Sequence, residues 1–356
     1  MKITRVETWK ERLPLSRPYT ITARTVSTVD LFFVRILADS GEEGLGSGAP
    51  VEGVTGETAE ACAQALAEAG PAWLEGRDPG CLGTLTRLLK THLRETPAAR
   101  AALDMALYDL VARRLEVPVV DFLGRCHDAL PTSITIGIKS TEEALAEADE
   151  YLGRGFRCLK VKLGRDPDDD IARLHKLREQ VGPAVVIRVD ANQGYDLAAT
   201  QRLAAAAATL KVEFIEQPLP AKAVDAMRHL PPALAAGMAA DESLHDEEDA
   251  LALAQAPLPF GIYNIKLMKC GGITSALGIA GIAEAAQIRL MWGCMDESVI
   301  SIAAALHAAY ACPATQYLDL DGSFDLSRDP ASGGFVLREG YLSVCDTPGL
   351  GVRLDG

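Results

Sequence analysis

No run of about 20 apolar residues occurs anywhere in the chain, so no segment is expected to span a bilayer. The N-terminus, Met1-Lys2-Ile3-Thr4-Arg5-Val6-Glu7, alternates charged with apolar residues, lacks the apolar stretch of a secretory signal, and reads as a strand. There is no C-x-x-C pair: the 8 cysteines stand singly at 62, 81, 126, 158, 270, 294, 312 and 345. That spacing removes zinc-ribbon and thioredoxin-like chemistry and suits a reducing, cytoplasmic setting with thiols buried as small hydrophobes. Cations are in the minority, with Lys+Arg 35 against Asp+Glu 49 and a formal net charge of −14. Nucleic acid is a poor partner for such a chain, because phosphate must be neutralised by clustered cations, and an anionic membrane surface is no better. What is present is globular: 356 residues, 48% hydrophobic and 24% charged, enough for one large domain or two of ordinary size.

From about residue 133 one unit repeats, a short β-rich run followed by an amphipathic Ala/Leu-rich stretch. The strands are expected at 133–138, 158–163, 185–190, 212–216, 236–240, 261–267, 289–294 and 316–320. Helices are expected between them at 141–152, 168–181, 197–210, 224–230, 247–255, 274–287 and 298–311. Ser140 with Glu143 carries a capping-box pattern, and Ile171, Leu174, Leu177 and Val181 recur at helical spacing. Alternating β and α predicts a parallel sheet, and eight strands favour a closed barrel. Residues 1–125 differ. Strand-like runs at 3–13 and 30–37 flank a loop near 18–25, a Gly-rich segment spans 41–56, and three helical patterns follow. This predicts an α+β domain ahead of a barrel at 126–322. A tail at 323–356, with no further βα unit, is expected to pack back on the first domain.

Functional groups of a βα barrel sit at the C-terminal ends of its strands. The second strand ends in Lys160-Val161-Lys162, whose two lysines share a face. The third ends in Asp190-Ala191-Asn192, the fourth in Glu216-Gln217-Pro218, the fifth in Asp241-Glu242-Ser243 and the sixth in Asn264-Ile265-Lys266. One strand-end carboxylate is commonly just solvated. Three in succession, Asp190, Glu216 and Asp241, are the oxygen donors a hard ion such as Mg²⁺ takes. Lys162 and Lys266 bracket that trio. Burying a Lys-x-Lys pair without function would cost several kcal/mol per charge. Helical His175, His229 and His307 read as surface or packed residues, and Cys158, Cys270 and Cys294 as buried thiols.

The ordered set Lys160-Val-Lys162, Asp190-Ala-Asn192-Gln-Gly, Glu216-Gln-Pro, Ala240-Asp241-Glu242-Ser243 and Asn264-Ile-Lys266-Leu-Met-Lys-Cys-Gly-Gly resembles the enolase superfamily. Within it the chain is most similar to the muconate-lactonising subgroup and its dipeptide epimerases of the L-Ala-D/L-Glu type. Ala23-Arg24-Thr25, Val54-Thr55-Gly56-Glu57, Gly293-Cys294-Met295-Asp296-Glu297-Ser298 and Asp319-Leu320-Asp321-Gly322 extend the likeness nearly end to end. It implies a (β/α)7β modified TIM barrel under an N-terminal α+β capping domain completed by the C-terminal tail. It implies Asp190, Glu216 and Asp241 as Mg²⁺ ligands, Lys162 and Lys266 as an acid/base pair, and Lys160 as the neighbour that holds down the Lys162 pKa. Asn192, Met295 and Ser298 fall in segments that border the substrate.

The implied reaction is a 1,1-proton transfer at the α-carbon of a dipeptide's C-terminal residue, through an enediolate. In a strand, Asp319 and Asp321 point the same way, and the resemblance implies that they hold the dipeptide's N-terminal amine. Arg24 resembles the residue that meets an acidic side chain in Ala-Glu epimerases. Asp296 and Glu52 depart from the pattern: they either face solvent or put carboxylates in the pocket, which would favour Lys- or Arg-containing dipeptides. Gly46-Ser47-Gly48 departs from a Gly-Glu step, with no physical reason visible in the sequence. The alternatives are Ala-Glu specificity, an o-succinylbenzoate synthase or muconate cycloisomerase reaction, and a non-catalytic binding protein. A homo-oligomer is expected.

Overall fold

The computed structural model describes residues 1–21 and 24–355; the side chains at 18–21, 24, 25, 70 and 71 lie outside the description. Strands β1 (Ile3–Ile21), β2 (Arg24–Ala38) and β3 (Glu43–Gly48) form an antiparallel meander. Of the expected loop near 18–25, residues 18–21 and 24–25 are strand instead, with Tyr19 paired to Val26 and Ile21 to Arg24, and residues 22 and 23 lie outside the described residues. The register slips between Ile3 and Arg5 and again between Pro14 and Tyr19, where prolines withhold ladder donors.

Helices α1 (Glu52–Thr55), α2 (Ala59–Ala69), α3 (Leu82–His92), α4 (Pro97–Arg114) and α5 (Val119–Leu123) complete this half. Helix α4 is buried along nearly its whole length. It crosses β3 so closely that a Cβ on Gly44, Gly46 or Gly48 would overlap the carbonyl oxygens of Ala106, Ala102 and Ala98. That supplies the reason for Gly46 and Gly48, since every second residue of β3 faces a helix backbone and only glycine fits; nothing in the structure explains Ser47 between them.

A short strand, β4 (Leu130–Pro131), precedes the barrel. The barrel strands are β5 (Ile134–Ile136), β6 (Cys158–Lys162), β7 (Val186–Asp190), β8 (Val212–Glu216), β9 (Met238–Ala240), β10 (Ile262–Ile265), β11 (Arg289–Gly293) and β12 (Thr315–Asp319). They are parallel and adjacent in chain order, and a parallel bridge from Thr132 to Leu318 joins the ends. The crossovers are α6 (Thr141–Gly153), α7 (Pro167–Val181), α8 (Leu197–Leu210), α9 (Val224–Met227) with α10 (Pro232–Ala235), α11 (Glu247–Leu253), α12 (Leu267–Cys270) with α13 (Ile273–Ala285), and α14 (Val299–Tyr310). This is the (β/α)7β barrel with a capping α+β domain. The capping box on α6 forms as its sequence requires. The helix expected at 224–230 is broken, because Pro231 and Pro232 bring no amide hydrogens and disfavour helical backbone at Leu230.

The tail strands are β13 (Ala331–Gly333), β14 (Phe335–Arg338), β15 (Tyr341–Val344) and β16 (Val352–Leu354). β15 pairs with β4, while the Leu350 amide donates to Asp109 of α4 and Arg113 donates to the Val352 carbonyl. Leu326 bridges Leu15 of β1. The tail therefore touches both the barrel and the capping domain. Among the described residues, no helix is long and apolar enough to cross a membrane.

His307 of α14 is buried at the seam with α5, where its Nδ1 accepts the Val120 amide at 3.0 Å. Burial pushes its pKa down to about 4 from an ordinary 6.5. A histidine kept neutral by the fold contributes stability that is present above about pH 6.5 and lost as pH falls towards about 4, with a slope of at most about 1.4 kcal/mol per pH unit. Urea melts of the wild type and His307→Asn across that interval check this. The variant is expected to lose less stability on acidification, and parallel pH profiles would contradict the assignment.

Candidate active site

Register sets the levels of the site. Lys162 pairs with Asp190, and Asp190 with Glu216, across β6, β7 and β8, so these three end their strands side by side. Asp241 follows β9 and Lys266 follows β10. Strands β6 and β10 are four apart in a ring of eight. Lys162 and Lys266 therefore rise from opposite walls, with the three acids on the arc between them. A cavity of about 970 Å³ opens over these ends, lined on the capping-domain side by β2 and the 49–54 segment. Lys160, Lys162, Asp190, Asp241 and Lys266 line it, while Glu216 is fully buried and lies off the lining.

The acids are held by ammonium groups. Lys160 Nζ lies 2.8 Å from Glu216 Oε2, 2.8 Å from Asp319 Oδ2 and 3.3 Å from Asp190 Oδ2. Lys266 Nζ is 2.6 Å from Asp241 Oδ2, and Lys269 pairs with Asp241 Oδ1 while donating to its main-chain carbonyl at 2.6 Å. Lys162 is the least engaged lysine of the ring: its Nζ is 3.9 Å from Asp190 Oδ2 and its side chain is 28% exposed. Burial works against the charges of Lys160 and Lys266, but the surrounding carboxylates outweigh it and raise both pKa values. Lys160, expected as the neighbour that lowers Lys162, is thus itself clamped by three acids.

Among the described residues, no three carboxylates approach closely enough to share an ion as they stand. The donor chemistry nevertheless fits a hard divalent cation. Asp190, Glu216, Asp241, Glu242, Asp319 and Asp321 face Lys160, Lys162, Lys266 and Lys269 around these strand ends. Glu216 Oε2 has the Lys160 ammonium beside it at 2.8 Å, whereas Glu242 Oε2 is buried without a hydrogen-bond donor. Burial, with Asp190 and Asp241 adding repulsion, pushes Glu216 up to about 8, and burial beside Asp241 pushes Glu242 up to about 6. These are acids short of positive charge.

The remaining expected residues divide. Asp319 and Asp321 both line the cavity, but Asp319 is committed to Lys160 and to the Ser133 hydroxyl at 2.6 Å. Asp321 accepts the Thr135 amide at 2.8 Å, and burial beside Asp319 pushes its pKa up to about 7. Asn192, Met295, Asp296 and Glu52 also line the cavity. Ser298 does not: it is buried, accepts the Ile300 amide as the N-cap of α14, and donates to Asp329 at 2.9 Å. Arg24 opens β2, but its side chain lies outside the described residues.

Sequence reasoning passed over several residues packed around these strands. Asn264 Nδ2 donates to Glu216 Oε1 at 2.7 Å, and Gln217 Oε1 accepts the Asp241 and Ser243 amides. Arg188 sits deeper in the barrel between the Phe214 and Tyr317 rings, paired with Glu213 at 2.7 Å. Period-2 alternation was the available signal: Asn264 stands two before Lys266 and Arg188 two before Asp190.

Comparison with known proteins agrees with this geometry. Residues 3–124 match the mandelate racemase / muconate lactonizing enzyme N-terminal domain, and residues 143–356 match the enolase C-terminal domain-like family. The chain belongs to the mandelate racemase/muconate lactonizing enzyme family of the enolase superfamily. It is 56% identical over 352 residues, 99% of each chain, to an L-Lys-D/L-Arg epimerase of Methylococcus capsulatus. It is 34% identical to an L-Ala-D/L-Glu epimerase of Bacillus subtilis, covering 99% of this chain and 97% of that one. A crystal structure of the M. capsulatus dipeptide epimerase, complexed with Mg and the dipeptide L-Arg-D-Lys, superposes with a TM-score of 0.97, covering 99% of each chain.

Mg²⁺ bound only by the folded state should raise stability by about 2.7 kcal/mol at a hundred times its Kd. Thermal melts with Mg²⁺ and with EDTA check this. The wild type is expected to melt higher with Mg²⁺, and Asp190→Asn, Glu216→Gln and Asp241→Asn to lose most of that increment. An increment kept in all three would contradict the ligand set.

Proposed function

We propose that this chain is a Mg²⁺-dependent isomerase that epimerises cationic dipeptides, inverting the α-carbon of the C-terminal residue by 1,1-proton transfer. One observation carries the reading: two lysines on opposite walls of the ring flank a single arc of acids. Proton removal next to a carboxylate leaves an enediolate, and Mg²⁺ held by Asp190, Glu216 and Asp241 would supply positive charge against the substrate's carboxylate oxygens. The chain's own groups do the rest. Lys162 takes or returns the proton on one face and Lys266 on the other. Inversion needs a base and an acid on opposite faces, which a ring geometry provides and a single lysine does not.

As the chain stands, Lys266 is tied to Asp241 Oδ2 at 2.6 Å. With Asp241 serving as a metal ligand, Lys266 Nζ would be free to turn towards the substrate. Lys160 stays with its three acids as a fixed cation near Lys162. Asp321, with Asp319 behind it, receives the dipeptide's N-terminal amine, and the capping segments close the cavity against water.

Cationic preference is supported by the likeness to relatives named L-Lys-D/L-Arg epimerase at 56% and 52% identity. It is also supported by the Asp296 and Glu52 carboxylates on the cavity lining. The same reading divides the chain at residues 1–125, 126–322 and 323–356. It places the protein in the cytoplasm, in keeping with the free cysteines, and as a homo-oligomer, in keeping with exposed Val336, Leu337 and Tyr341 on one hairpin.

Mixed L,L-dipeptides incubated in D₂O with Mg²⁺ and read by mass test the reaction. One-unit gains are expected first in dipeptides of Lys and Arg, and no gain in any dipeptide would overturn the proposal. Lys162→Ala and Lys266→Ala should each lose α-proton exchange from one configuration only, whereas loss from both in each variant would break the two-base assignment. Asp296→Leu should lower kcat/KM for Lys- or Arg-containing dipeptides by about 10-fold more than for Ala-Ala, the scale of one lost charge contact; an unchanged ratio would remove Asp296 from recognition.

A further inference from the structure

The turn that carries Lys266 is gripped by the capping domain. Lys266 is the N-cap of α12, and the Lys269 and Cys270 amides donate back to its carbonyl at 3.0 and 3.1 Å. Three groups of the N-terminal half reach this turn and the start of α13. Arg100 of α4 donates to the Cys270 carbonyl at 2.7 Å. One turn further along α4, Asp104 accepts the Thr274 amide at 3.2 Å and its hydroxyl at 2.6 Å. The Ala49 amide lies 3.2 Å from Met268 Sδ.

The contact is tight. Gly271 and Gly272 both have left-handed φ, +81° and +109°, and a Cβ on them would strike the Arg100 guanidinium and the Asp104 carboxylate. Arg100 is 6% exposed and Asp104 2%. Burying two charged side chains here is a poor route to stability, because apolar residues of similar volume would pack at lower desolvation cost. What the charges do supply is direction: each fixes a particular backbone atom of the segment that follows Lys266.

We infer that Arg100 and Asp104 are positioning residues for Lys266, through which the capping domain sets the place of one of the two bases. This rests on the two-base reading above. Among the described residues, the segment that follows Lys162 is held by Asp170 and Tyr195 of the barrel and by no capping-domain group, so the effect of losing the grip is one-sided. A base displaced by about 1 Å loses up to 100-fold in rate.

The test is α-proton exchange in D₂O, measured separately from the two configurations of one Lys-containing dipeptide. Lys162→Ala and Lys266→Ala first identify which configuration each lysine serves. Arg100→Met is expected to slow exchange on the Lys266 side roughly 10- to 100-fold, with at most about a 3-fold change on the Lys162 side, and Arg100→Lys to restore part of the loss. Should Arg100→Met not fold, Asp104→Asn gives the same comparison with a neutral, near-isosteric side chain. Equal loss on both sides, or loss on neither, overturns the positioning role while the lysine controls remain one-sided. If the lysine controls themselves are symmetric, the two-base reading falls and this inference with it.

Discussion

The structure is organised around an excess of buried negative charge at one end of a barrel. Carboxylates that close together cannot all remain ionised in a low-dielectric setting unless cations share the space. The chain answers with lysines: Lys160 between three acids, Lys266 and Lys269 on a fourth. The balance is still incomplete, and the acids pushed upward, Glu216, Glu242 and Asp321, mark where positive charge is short. A divalent ion and a substrate amine are the complementary charges. The ring thus defines both what binds and where the reactive carbon must sit.

Rigid surroundings make that electrostatic arrangement useful for catalysis. Asn264 and Gln217 hold Glu216 and the Asp241 backbone in place. The capping domain contributes more than a roof. Its α4 is buried between β3, whose glycines admit it, and the α12–α13 turn, whose glycines admit its charged side chains. One helix therefore joins the meander that lines the cavity to the segment that carries Lys266.

Much of this was legible in the sequence, for identifiable reasons. Strand ends in a parallel barrel project function in a fixed order, so Lys162, Asp190, Glu216, Asp241 and Lys266 could be listed before the fold was known. Strand and helix placement followed from alternation and helical spacing, and failed where proline intervened at 231–232. The strand pairing of residues 19–21 with 24–26 was missed, the segment from Pro18 having been read as a loop. Lys269, Arg100 and Asp104 were not legible as parts of the site: each depends on a contact between segments far apart in the chain. Ser298 is the N-cap of α14, and an N-cap and a binding hydroxyl have the same local sequence. Gly46 and Gly48 had no meaning until α4 was seen lying across them.

The central claim is that a dipeptide's α-carbon is held between two amines on opposed walls. A crystal structure of this protein with Mg²⁺ and a Lys- or Arg-containing dipeptide tests it most directly. The account predicts Lys162 Nζ and Lys266 Nζ on opposite faces of the C-terminal residue's α-carbon, each about 3–3.5 Å away, with the carboxylate turned towards Asp190, Glu216 and Asp241. Both amines on one face, or a carboxylate turned away from those acids, would contradict it.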